Sequence, residues 1–224
     1  RSCKVLVTAD NREAVRNADL ILLAVKPQNM AEVLAGLTAA MAPSALVISI
    51  AAGISTAFIE ERLGEGVRVV RVMPNMPALI GEGAAAIAPG SHATEADLKR
   101  TRHIFDAVGI TVEVKEDLMD AVTGLSGSGP GYVFLIVEAF VDAGVRIGLP
   151  RETALKLIAQ SLLGAAKLCL LGEKPPAELR AMVTSPGGTT LAGLKVMEEG
   201  KLREILMAAV EAATKRSAEL GGRK

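Results

Sequence analysis

At 224 residues the chain can hold one large domain or two small ones, with length enough to bury a full core. Half of it is hydrophobic but only 2% is aromatic, so Ala, Leu and Val must build the interior, as in close-packed helices around a buried parallel sheet. Lys plus Arg balances Asp plus Glu at 25 each, and with one Tyr, four Phe and no Trp this excludes the basic footprint and stacking surface of a nucleic-acid binder.

The first half alternates short apolar runs with amphipathic stretches. Lys4 to Thr8 reads as a strand, Asn11 to Ala18 as a helix opened by Asn11, and Asp19 to Val25 as a fully buried strand. A helix over Met30 to Met41 precedes a strand at Ala45 to Ile50. A helix at Thr56 to Leu63 leads into a strand at Val67 to Val72. A weaker strand, Ala84 to Ala88, is followed by a helix from Glu95 to Val108 and a strand from Thr111 to Val114. This βαβα rhythm predicts a doubly wound parallel sheet.

From Glu116 onward only helices are expected: Glu116–Gly124, Pro130–Ile147, Pro150–Leu171, Pro176–Val183, Thr189–Glu198 and Leu202–Leu220. The predicted boundary therefore divides residues 1–115, an α/β domain, from residues 116–224, an all-α domain. The helix from Pro130 carries one thin polar stripe, Glu138, Asp142 and Arg146, spaced one turn apart. A helix apolar on its other sides must be covered, either inside a monomeric bundle or by a second subunit.

Two cysteines, Cys3 and Cys169, form neither a disulfide framework nor a metal-ligand pair, and free thiols point to the cytoplasm. No uninterrupted apolar run is longer than Tyr132 to Val137, which stops at Glu138 and is too short to span a bilayer, so no membrane partner is expected. The two histidines, His92 and His103, fall in a polar loop and on a charged helix. A His-based triad, a metal site and a His-Asp relay are therefore not expected.

Several segments sit where ligands bind in open α/β sheets, beyond the carboxyl ends of strands. Ala24-Val25-Lys26-Pro27 ends one strand; Lys26 reads either as a contact for a cofactor phosphate or ribose, or as a solvated lysine at a turn. Ile50-Ala51-Ala52-Gly53 ends the next, with side chains small enough for a ring or sugar to approach the backbone. Asn75, between Pro74 and Pro77, reads as part of a rigid turn or as a ligand contact. In Ser126 to Gly131, Ser128 suits a helix cap and Pro130 a first turn, while three glycines suggest a chain or ligand against the backbone. Thr184-Ser185-Pro186-Gly187-Gly188-Thr189-Thr190 opens another helix with hydroxyls, glycines and free N–H groups. It reads as a carboxylate site with Thr190 free to bond a ring nitrogen, or as a simple cap after a tight turn.

Taken in order and spacing, Ala-Val-Lys-Pro, Ala-Ala-Gly, Met-Pro-Asn-x-Pro, Leu-Ser-Gly-Ser-Gly-Pro and Ser-Pro-Gly-Gly-Thr-Thr resemble the pyrroline-5-carboxylate reductase family from about Val5 to Leu220. The resemblance implies a Rossmann-type sheet followed by a helical dimerisation domain, homodimers that assemble further into decamers, and active sites between subunits. It also implies hydride transfer from NADPH or NADH to the imine of 1-pyrroline-5-carboxylate, giving L-proline. By position, Asn11, Ala24, Val25, Lys26, Pro27, Ile50, Ala51 and Ala52 match cofactor contacts. Glu116, Ser185, Gly188, Thr189 and Thr190 match the substrate site, with Thr190 as the catalytic contact near the imine nitrogen. Met182 stands where the family often has an amide touching the cofactor; Gly131 and Met76 replace an alanine and a smaller or polar residue.

The family's opening strand, Gly-rich phosphate loop, helix and second strand are not in this sequence. The expectation is a sheet without its first strands, with the Val5 strand at an exposed edge, and a chain that dimerises without catalysing. Two rivals have separate signatures. A β-hydroxyacid dehydrogenase would need a catalytic lysine, and Lys156, Lys167 and Lys195 lack a Gly-rich setting. A non-catalytic dimeric homologue would have no need of the Ser185–Thr190 turn.

Overall fold

Five short strands and ten α-helices, described over residues 5–222 in a computed structural model, follow from the apolar periodicities. Cys3 and Lys4 lie outside the described residues. In chain order the elements are α1 (Asn11–Val15), β1 (Leu20–Leu23), α2 (Met30–Leu37), β2 (Leu46–Ser49), α3 (Thr56–Leu63), β3 (Arg68–Met73), β4 (Gly83–Pro89), α4 (Glu95–Asp106) and β5 (Gly109–Glu113). After these come α5 (Met119–Val122), α6 (Gly129–Arg146), α7 (Arg151–Leu171), α8 (Pro176–Met182), α9 (Thr189–Glu199) and α10 (Leu202–Leu220). The chain divides into two compact units, Arg1–Pro130 with Val210–Lys224, and Gly131–Ala209. The boundary expected at 116 thus falls within the first unit.

The first unit is built on a mostly parallel sheet in the order β1-β2-β3-β4-β5. Its central strands β2 and β3 are mostly apolar and buried on both faces because both faces are covered. Val47 and Val69 pack with Leu34 of α2 and Ile59 of α3 on one face; Ile48, Val70 and Ile87 pack with Phe105 of α4 on the other. The Rossmann-type expectation holds, with one departure: β4 runs antiparallel to β3, Val72 facing Ile87. The link 74–82 holds only a 3₁₀ turn, Met76–Ile80, and a crossover to a parallel neighbour needs a dozen or more residues.

Residues 5–8 form no strand, and the sheet edge is β1, not Val5. A strand needs a neighbour's N–H and C=O groups, and none among the described residues offers them there. The Thr8 hydroxyl instead accepts from the Asp10 amide and donates to Glu13, and Asp10 rather than Asn11 caps α1. Ser128 is not a helix cap either. Its amide donates to Thr123 O at 2.8 Å, closing a π turn over Thr123–Gly127 that joins α5 to α6.

The second unit, Gly131–Ala209, contains most of α6, all of α7, α8 and α9, and the start of α10. Its helices begin and end where prolines and glycines place them, but they bury little. Across α6, α7, α8 and α9 only Val141, Gly144 and Ala154 are buried. Leu135, Leu157, Leu170 and Ile205 all stand exposed. Glu116–Arg146, continuous through the π turn, and α7 are by length and composition apolar enough to cross a membrane. That stretch is longer than the run Tyr132–Val137 suggested. An apolar surface this wide needs a cover.

The contact between α6 and α7 depends on Gly144. A Cβ placed there would lie 2.8 Å from the Ala154 Cβ, closer than two side chains can sit. Gly144→Val should cost about 1–3 kcal/mol through overpacking, read as a lower urea midpoint; an unchanged midpoint would show that the helices can spread.

Candidate active site

Three strand ends build one edge. Because β1, β2 and β3 are parallel in register, Leu23 with Ser49 and Ser49 with Arg71, the segments following them emerge on the same side. Ala24–Pro27 and Ile50–Ala52 are thereby brought together, and the Ile50 amide donates to Leu23 O at 3.1 Å. Lys26 is exposed and extended (φ −63°, ψ 141°), the conformation imposed by Pro27 on the residue before it. Ala51 is buried, whereas Ala52 is partly accessible. Gly53 has φ +76°, and a Cβ on it would meet Gly221 N at 3.2 Å, so the loop turns tightly beside the end of α10. Asn11 is exposed at the start of α1, where it lines with Val25 an apolar groove of about 240 Å³ along β1.

Below that edge lies a charged network that the sequence reading did not find. Arg71 is 1% exposed within β3, its Nη1 3.6 Å from Glu116 Oε1 and its Nη2 4.0 Å from Asp120 Oδ1. Glu116 also accepts from the Thr56 amide at 2.6 Å and from the Thr56 hydroxyl. This places a carboxylate at the N-terminus of α3, where the helix dipole favours it. Asp120 accepts from Ser217 of α10 at 2.8 Å. The signal was visible in one respect: an arginine inside Val-Val-Arg-Val has no place in a buried strand unless it is paired. Glu116, expected among substrate contacts, has both oxygens engaged by protein groups. It also borders a groove of about 460 Å³ with Pro89, Glu113, Val114 and Lys115.

Asn75 closes the edge beyond β3. Its Oδ1 accepts from the Ala84 amide at 2.9 Å and its Nδ2 donates to Ser126 O at 3.2 Å. The rigid-turn reading describes this well, and the side chain ties two segments together besides.

The second unit carries the other expected residues. Gly187 turns the chain with φ +69°, and the Gly188 amide donates to Ser185 O at 3.0 Å. Gly188 is the cap residue of α9, and no side chain caps that end. Thr189 and Thr190 form its first turn, both exposed, as is Ser185. An uncapped helix start flanked by hydroxyls offers N–H donors to an anion and a hydroxyl to a neighbouring polar atom. The Thr184 hydroxyl is occupied, donating to Arg180 O at 2.7 Å. Met182 is exposed. Lys156 and Lys195 are exposed partners of Glu152 and Glu199, one turn away, so neither is set up as a catalytic lysine.

Comparison with known proteins gives one consistent answer. Residues 116–220 match the family model for pyrroline-5-carboxylate reductase dimerisation, and residues 1–53 that for NADP oxidoreductase, coenzyme F420-dependent. A pyrroline-5-carboxylate reductase of Methanosarcina acetivorans is 51% identical over 217 residues, 97% of this chain and 80% of that protein. The crystal structure of a Coxiella burnetii pyrroline-5-carboxylate reductase superposes with a TM-score of 0.90 at 41% identity, covering 99% of this chain and 82% of that one. The Plasmodium falciparum enzyme with NADP bound gives 0.89 at 37% identity, covering 96% and 81%.

The buried network can be tested apart from activity. Arg71→Leu leaves two carboxylates facing an apolar strand and should lower the unfolding free energy by about 3–5 kcal/mol. Glu116→Gln, which keeps an acceptor for Thr56 but drops one charge, should cost less. Urea denaturation checks both; equal stability of all three proteins would remove the network from the account of the fold.

Proposed function

The chain belongs to the pyrroline-5-carboxylate reductase family, and from that premise we propose which of its residues carry the reaction. It is an NAD(P)H-dependent oxidoreductase that reduces 1-pyrroline-5-carboxylate to L-proline, and the observation carrying this is 51% identity over 97% of the chain. The bound dinucleotide supplies the hydride that the ring imine carbon accepts.

The residues at the sheet edge fit such a cofactor. Ala24 and Ala52 are small and accessible, Ala51 is small though buried, and the exposed ammonium of Lys26 suits a phosphate or ribose. We assign Asn11, Ala24, Val25, Lys26, Pro27, Ile50, Ala51 and Ala52 to cofactor binding on this ground and on their match to the family's motifs. Ser185, Gly188 and Thr189 are assigned to the substrate carboxylate, which the uncapped start of α9 favours. Thr190 is assigned to the imine nitrogen. A protonated imine is already electrophilic, so the chain has only to orient it and hold the ring against the hydride donor. No strong base is required. Glu116 is assigned a holding role, because Thr56 and Arg71 already engage its carboxylate; KM for the imine altered in Glu116→Gln at unchanged stability would return it to the substrate site.

The protein forms a dimer through its helical region, 116–220. This gives the exposed apolar faces of α6 and α7 their cover. Assembly of dimers into a decamer and a cytoplasmic location belong to the proposal; the family resemblance supports the first, and the exposed free thiol of Cys169 suits a reducing compartment for the second. Residues 1–115 are taken as the nucleotide-binding domain and 116–224 as the dimerisation and substrate domain, in line with the extent of the matched model.

Thr190→Ala in the full-length enzyme should lower kcat/KM by about 10- to 100-fold, the worth of one hydrogen bond made in the transition state, with NADPH affinity unchanged. Steady-state kinetics at wild-type efficiency would sink the assignment. Leu135→Glu, a charge on the exposed face of α6, should convert the dimer into monomer or aggregate; a dimer of unchanged mass in sedimentation would place the interface elsewhere.

A further inference from the structure

The π turn between α5 and α6 raises a question about one carbonyl. In a continuous α-helix the carbonyl of Ser126 would accept from the amide four residues on. That residue is Pro130, which has no N–H and whose ring crowds the same carbonyl. The chain widens there into the π turn Thr123–Gly127. Asn75 Nδ2, reaching from the end of β3, donates to Ser126 O at 3.2 Å.

The turn has little freedom besides. A Cβ on Gly127 would lie 2.5 Å from Met73 Cε, and one on Gly124 would lie 2.8 Å from Val210 O. The turn is thus wedged between the end of β3 and α10, with both neighbours in the first unit. Asn75 holds it from the third side, its other amide atom being fixed by the Ala84 N–H at 2.9 Å. Ser126–Gly129 therefore lies at the carboxyl end of β3, the same end of the sheet at which Ile50–Gly53 follows β2, where ligands bind in open α/β sheets.

We propose that Asn75 is a positioning residue for the reduction: its amide replaces the hydrogen bond that Pro130 cannot make, and so fixes the Ser126–Gly129 backbone at the carboxyl edge assigned to the cofactor. The proposal rests on the reductase reading and on the cofactor assignment at that edge. It also accounts for an asparagine between two proline-fixed turns, since its amide accepts from Ala84 with one atom and donates to Ser126 with the other. Aspartate keeps the first bond and loses the second.

The test is a double-mutant cycle in the full-length enzyme between Asn75→Asp and Pro130→Ala, which restores an N–H four residues after Ser126. Asn75→Asp alone should lower kcat about tenfold, with KM for 1-pyrroline-5-carboxylate changed less than about twofold, because a displaced backbone spoils alignment more than binding. Hydrogen exchange at the Ser128 and Gly129 amides should speed up about tenfold or more. In the Pro130→Ala background both losses should shrink. Wild-type kcat in Asn75→Asp, with only a lowered melting temperature, would overturn the proposal and leave Asn75 a turn residue. Equal losses in both backgrounds would overturn the link to Pro130. An inactive wild-type enzyme would count against the reductase reading, with the place of Asn75 then decided by exchange alone.

Discussion

A guanidinium buried in β3 is the constraint on which the first unit depends. Arg71 cannot keep its charge in that position without carboxylates, and Glu116 and Asp120 bring them from the segment just after β5. Each carboxylate engages one further element, Glu116 the start of α3 through Thr56 and Asp120 the end of α10 through Ser217. One charge therefore ties together β3, α3, α5 and α10, drawn from positions far apart in the chain. The carboxyl edge of the sheet stands above this tie, and the loops proposed to meet the cofactor leave β1 and β2 at that edge.

The second unit shows the opposite economy of design. Its ion pairs are all exposed and it has almost no interior: α6, α7, α8 and α9 bury only three residues among themselves. Helices so apolar gain most of their stability from what covers them, and a second copy provides a surface of the same kind. Dimerisation here is continuous with folding rather than an addition to it. Gly144 against Ala154 is the exception, a close approach that the unit makes by itself.

The chemistry asks little of individual side chains. Imine reduction with a bound hydride donor needs a held carboxylate, a polar atom near nitrogen and a dry, well-aligned ring. The hydroxyls, glycines and uncapped helix start proposed above for the substrate suit those needs without either histidine of the chain. Precision comes from backbone placement instead, and Asn75 belongs to that class of residue.

Most helices were legible in the sequence because their evidence is local. α3 and α10 follow the apolar spacing to the residue, and the Ser185–Thr190 and Ala24–Pro27 motifs show their Gly and Pro punctuation directly. Motif order and spacing were enough for the family. What the sequence could not decide was long-range. The direction of β4 depended on how short a link 74–82 is, and the edge of the sheet on which strand found a neighbour at all. The role of Glu116 depended on Arg71 and Thr56, and the start of α6 on a proline whose missing N–H is replaced by an amide 51 positions away from Ser126. Periodicity records what each residue prefers beside its neighbours in sequence; only the folded chain decides which distant groups must satisfy one another's charges and hydrogen bonds.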